Sequence, residues 1–88
     1  VVAKDPFIRD FGARVRELRV ERGLTQEKLA DLAGMHFTAI GHIERASRSS
    51  TLETVLKLAK ALQVQPHELL PDIKLPPPRI GKRSQNPG

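Results

Sequence analysis

The stretch that most constrains this chain is Gly23-Leu24-Thr25-Gln26-Glu27-Lys28-Leu29-Ala30, followed by Gly34 and then Ile40-Gly41-His42-Ile43-Glu44-Arg45. It predicts two short helices joined by a tight turn. Thr25 is placed to cap the first, its hydroxyl accepting from a free backbone N–H of the opening turn. Leu24 before the cap and Leu29 after it are spaced as a hydrophobic staple. Leu29, Ala30 and Ala33 form the inward stripe. Gly34 supplies the positive φ that ends a helix and redirects the chain. A second helix from about His36 to Arg45 buries Ile40 and Ile43 and leaves His36, Phe37, Thr38, Gly41 and His42 less buried.

Around this unit the chain reads as further helices. Asp5-Pro6 is a helix start, a side-chain cap followed by proline in the first turn. Ile8, Phe11, Val15 and Leu18 recur at spacings of three and four, the stripe of a packed helix running to about Arg22 and ending at Gly23. Residues 46–50 are small and polar and read as a loop. Ser50 with Glu53 fits a capping box, with Thr51 as the competing cap. Leu52, Val55, Leu56, Ala59 and Leu62 mark the buried face of a fourth helix. Pro66 opens a short fifth helix through Leu70, and Pro71 stops it. The reading is one all-α domain over residues 5–72. A Pro-rich basic tail over 73–88 is expected to be extended or disordered and dispensable for folding. Its Leu75-Pro76-Pro77-Pro78-Arg79 run reads as a plain linker or extension in preference to a polyproline ligand.

Composition narrows the function classes. The 88 residues are 39% hydrophobic with three aromatics, all Phe, so the core must be built from Leu, Val, Ile and Ala on helices. There is no Cys, which excludes disulfide and thiolate chemistry. No apolar run approaches the ~18 residues of a membrane span, and no signal-peptide pattern opens the chain. It begins with Val1 rather than Met, which leaves open whether the native start is present. The net charge of +5 is unevenly placed. Residues 73–88 hold four basic residues and no acid, a net +4, whereas residues 1–72 hold eleven basic and ten acidic residues, a net +1. The folded part is nearly neutral, so the pair of short helices carries the nucleic-acid argument and the bulk charge does not. A catalytic reading finds no Cys, no Tyr and no Gly-rich phosphate loop. His36, His42 and His67 lack a useful metal-ligand spacing. No cofactor, metal or small-molecule ligand is expected.

Two small helices so joined are a helix-turn-helix, which offers its second helix to the DNA major groove. The GLTQEKLA run, the Ile43-Glu44-Arg45 triplet and TLETVLKLAKAL at 51–62, in this order and spacing, resemble the Cro/C1-type helix-turn-helix family of phage repressors and bacterial regulators, also called the XRE family. The resemblance covers roughly residues 8–70. It implies a five-helix lambda-repressor-like fold and a cytoplasmic, sequence-specific regulator of transcription that binds double-stranded DNA through its third helix. It places Gln26 on a DNA phosphate, Phe37, Thr38 and His42 at base-contacting positions, and His36 near the backbone. Arg19 and Glu44 correspond to a structural ion pair between the first and third helices. Two departures stand out: Ala46 where the family usually has glycine, and Ser50 where it often has proline. They lead to the expectation that the loop after the third helix differs in path.

The residues themselves refine this. From Met35 to Ile43 no side chain is formally charged, so a bidentate Arg–guanine contact is not expected from this segment. Thr38 can donate to or accept from a base edge. Phe37 either lies against a thymine methyl or packs under the helix as core. Arg45, Ser47 and Arg48 sit on the following loop, placed to touch phosphates. Arg14, Arg16 and Arg22 read as a solvated face or local partners of Glu17 and Glu21. One short helix reads too few base pairs to locate a site in a genome, so a homodimer on a palindromic operator is expected. Leu69, Leu70, Ile73 and Leu75 are the interface candidates. The alternative is an antitoxin-like module that uses the same fold mainly to bind another protein.

Overall fold

The computed structural model describes residues 5–72, which form four α-helices and no strand. They are α1 (Pro6–Glu21), α2 (Gln26–Ala33), α3 (Phe37–Glu44) and α4 (Leu52–Leu62). The expected fifth helix is a single 3-10 turn, Pro66–Leu69. The expectations for residues 73–88, including Ile73 and Leu75, lie outside the described residues.

Each helix boundary has a local cause. The Asp5 carboxylate accepts from the Phe7 N–H at 2.8 Å, and Pro6 opens α1. Gly23 turns the chain out of α1 at φ 67°. Thr25 Oγ1 accepts from the Lys28 N–H at 3.0 Å, and Gly34 closes α2 at φ 68°. Both glycines occupy the left-handed region, where a side chain costs about 1–2 kcal/mol. His36 caps α3, so the helix begins one residue later than expected. Of the two caps proposed for α4, Thr51 is the one used: its hydroxyl accepts from the Thr54 N–H at 3.1 Å. Glu53 pairs with Lys57 at 3.7 Å, one turn on, as an exposed carboxylate does when a lysine follows four residues later.

The core joins Phe11, Val15 and Leu18 of α1, Leu29, Ala30 and Ala33 of α2, Ile40 and Ile43 of α3, and Leu58, Ala59 and Leu62 of α4. Each fully buried Leu or Ile contributes about 1.5–3 kcal/mol by leaving water. The face of α4 differs from expectation. Leu52 is 82% and Leu56 54% exposed, while Leu58 is completely buried. The helix carries apolar residues over a wide arc, and its packing against α1, α2 and the 3-10 turn selects the side centred on Leu58, Ala59 and Leu62. Leu69 is also completely buried. It plugs the chain's own core and offers no surface to a second copy, which removes it from the interface candidates.

Gly12 is what lets α1 lie against the end of α3. A β-carbon there would fall on the carbonyl oxygen of Ile43 and 3.1 Å from that of Glu44. These are backbone atoms that cannot swing aside. Two residues further along α1, Arg14 donates from Nε to the Glu68 carbonyl at 2.9 Å and pairs with Glu17 at 2.8 Å, tying the 3-10 turn to the helix. Arg22 lies 3.6 Å from Glu21.

Candidate nucleic-acid interface

The orientation of α3 is fixed from its last residue. Glu44 receives Arg19 in a bidentate pair, Nε to Oε2 at 2.7 Å and NH2 to Oε1 at 3.1 Å. Arg19 also donates from NH1 to the Leu24 carbonyl at 2.8 Å. Gln26 donates from Nε2 to Glu44 Oε1 at 3.1 Å. One carboxylate thus ties α1, the start of α2 and the end of α3. The two side chains of the ion pair are only 12% and 4% exposed, a setting in which planar fork-to-carboxylate geometry counts for more than at the surface. The Gln26 bond engages one of two amide donors and leaves the carbonyl for another partner.

With Ile40 and Ile43 held in the core, α3 turns Phe37, Thr38, His42 and Arg45 away from it. Phe37 is 47% exposed and stacks on His36, ring centroids 5.1 Å apart, so its packing as core is excluded. His36 accepts the Thr38 N–H on Nδ1 at 3.2 Å, with the Thr38 hydroxyl 2.8 Å from the same nitrogen. His42 is half-buried, and its Nδ1 lies 3.0 Å from the Ser47 hydroxyl. The charge of Arg48, burial and the charge of Arg45 together lower the His42 pKa below the usual imidazole value. This favours the neutral ring at pH 7.

Two sequence readings change here. Gly41 is buried, not half-open, because the Arg45 guanidinium lies over it; a β-carbon at Gly41 would stand 2.9 Å from Arg45 NH1. Arg45 itself caps α3 and folds back along its outer face rather than extending from the loop. A guanidinium therefore lies on the exposed face of a helix whose own sequence, up to Ile43, is uncharged. Arg48 is exposed on the loop beyond. Ala46 takes φ 57°, the left-handed conformation, so alanine adopts the backbone that a glycine at this position would favour, and its methyl group is 1% exposed.

Sequence reasoning missed the close approach at Gly12 and the His42–Ser47 bond. Periodicity contains no signal for the first, since the partner is remote backbone. A hydroxyl five residues after an imidazole was the only hint of the second. The crowding at Gly41 gives a test. Gly41→Ala should raise the melting temperature, because alanine favours a helix by about 1 kcal/mol over glycine and only the tip of Arg45 must move. A lowered melting temperature would show that Arg45 is fixed in place.

The model of the helix-turn-helix family HTH_3 matches residues 15–69. The chain belongs to this family of DNA-binding transcriptional regulators. It is 44% identical over 61 residues to control protein C.BamHI of Bacillus amyloliquefaciens, a match covering 68% of this chain and 75% of that protein. Among solved structures, it resembles the restriction-modification controller protein C.AhdI of Aeromonas hydrophila with a TM-score of 0.69 and 47% identity, covering 70% of this chain and 94% of that one. It also resembles the P22 c2 repressor in complex with a synthetic operator, with a TM-score of 0.64 and 35% identity, covering 68% and 91%. The part matched in this helix-turn-helix protein includes α2, α3 and both members of the Arg19–Glu44 pair. No helix among the described residues is long and apolar enough to cross a membrane.

Proposed function

We propose that this chain is a cytoplasmic, non-enzymatic regulator of transcription that binds a palindromic operator as a homodimer, one α3 in each half-site. The observation that carries this reading is the outward face of α3, where Phe37, Thr38, His42 and Arg45 stand clear of the core while the buried Arg19–Glu44 pair holds the helix in place. Gln26, His36 and Arg48 flank that face and are assigned to phosphates and register, with Phe37, Thr38 and His42 assigned to bases. Ser47 is assigned to holding the His42 ring, because its hydroxyl hydrogen is taken by the His42 carbonyl. The control proteins among its relatives favour a promoter of restriction-modification genes as the first operator to test.

The dimer reading is supported by apolar surface that the monomer leaves bare. Leu52 and Leu56, one turn apart on α4, and Leu70 after the 3-10 turn are 82%, 54% and 42% exposed. A two-fold axis through such a surface would set the half-sites about one helical turn, roughly 34 Å, apart. Selection of bound duplexes from a random pool tests the whole reading. The expected result is a two-fold symmetric sequence. Gln26→Ala should weaken binding to every sequence about equally, whereas Thr38→Ala should change the selected base at one position in each half by roughly 1–3 kcal/mol. A selected site without symmetry, bound by one protein copy, would sink the dimer. A Thr38→Ala protein that selects the unaltered sequence would sink the assignment of α3.

A further inference from the structure

The base reading proposed for α3 leaves the chemistry of its half-buried histidine open, and the hydrogen bonds around that ring decide it. Ser47 Oγ lies 3.0 Å from His42 Nδ1 and 3.3 Å from the His42 carbonyl oxygen. A carbonyl can only accept, and a hydroxyl has a single hydrogen. One arrangement makes both contacts hydrogen bonds: the Ser47 hydroxyl donates to the carbonyl and accepts from Nδ1–H. A neutral imidazole carries one ring proton, so Nε2 is then bare. We propose that His42 is a base-reading acceptor whose Nε2 selects an amino base, adenine or cytosine, over a keto base, guanine or thymine, on the strand it faces. Adenine N6 and cytosine N4 are the major-groove donors, whereas guanine and thymine offer O6, N7 and O4 acceptors that a bare nitrogen cannot satisfy.

The other recognition-face histidine supplies an internal contrast. The Thr38 N–H can only donate, so His36 Nδ1 must be unprotonated to accept it at 3.2 Å. The nearby Thr38 hydroxyl at 2.8 Å donates to the same atom. Neutral His36 therefore carries its proton on Nε2, the opposite tautomer. The positive charge of Arg48, burial and the charge of Arg45 lower the His42 pKa, which favours the neutral ring that the acceptor role requires.

This inference rests on α3 being the reading helix, and two measurements separate the failure of one from that of the other. Long-range proton–nitrogen correlation on the 15N-labelled full chain without DNA reads the tautomers directly. The expected pattern is Nδ1–H for His42 and Nε2–H for His36. Nε2–H at His42 would overturn the proposal whatever the protein binds. Selection from a random duplex pool at pH 7.5 then compares the native chain with Ser47→Ala and His42→Ala. One position should favour adenine or cytosine by roughly fivefold in the native chain. His42→Ala should abolish that preference, and Ser47→Ala should relax it at that position alone. A keto base at the position lost in His42→Ala overturns this proposal and leaves the function standing. Ser47→Ala weakening all sequences equally, with the pattern intact, also overturns it. Absence of any enriched sequence overturns both.

Discussion

Glu44→Ala is expected to lower the melting temperature by roughly 10–20 °C, the shift that about 3 kcal/mol produces in a domain of this size. The carboxylate is 4% exposed and is the meeting point of Arg19 and Gln26. Its removal leaves a guanidinium that is 12% exposed with the Leu24 carbonyl as its remaining partner. A stranded charge in that setting costs far more than a surface pair gains. Arg19→Ala should cost a similar amount for the mirror reason, leaving the carboxylate with Gln26 alone. The double variant should be less destabilised than the sum of the two, because neither charge is then left without its partner. Thermal denaturation of the four proteins checks this. Full additivity, or a melting temperature unmoved by Glu44→Ala, would show that the pair does not hold α3. DNA binding measured well below the lowered transition should survive in part, since Glu44 faces inward and reaches the proposed interface only through the Gln26 amide.

The two helices of the motif were legible because their signals are local. Thr25, Gly34, Ile40 and Ile43 each act within a turn of their own position, and each takes the cap, the left-handed bend or the buried site that its chemistry prescribes. α4 was legible as a helix but not in its rotation. Leu52, Val55, Leu56, Leu58 and Leu62 allow more than one inward face, and only packing against α1, α2 and the 3-10 turn decides between them. Leu69 was read as surplus apolar surface for the same reason, since nothing near it in sequence shows the hole it fills. On the outward face of α3, the family resemblance pointed to Phe37, Thr38 and His42, but a side chain from one turn further, Arg45, folds back across Gly41. Long side chains choose their direction from the space available, and that space is set by the absence of a side chain at Gly41.

Gly12→Ala should show the opposite sign from Gly41→Ala, although both replace a glycine inside an α-helix. Propensity alone favours the alanine by about 1 kcal/mol in each case. What differs is the neighbour. At Gly41 the added carbon meets the tip of Arg45, which can swing into solvent. At Gly12 it meets the carbonyl oxygens of Ile43 and Glu44, which belong to the last turn of α3 and are fixed by the Arg19–Glu44 pair. Overpacking a well-filled contact costs about 1–3 kcal/mol, and a backbone partner puts this one at the upper end, about 3 kcal/mol. The expected result is therefore a melting temperature lowered by roughly 10 °C or more. Any α3 that does remain packed must move away from α1, so DNA affinity should fall further than the unfolded fraction accounts for. Measuring both on the same sample separates the two effects. A Gly12→Ala protein that melts higher than the native chain and binds DNA as tightly would mean that α1 and α3 are not in backbone contact, and the positioning of α3 would need another cause.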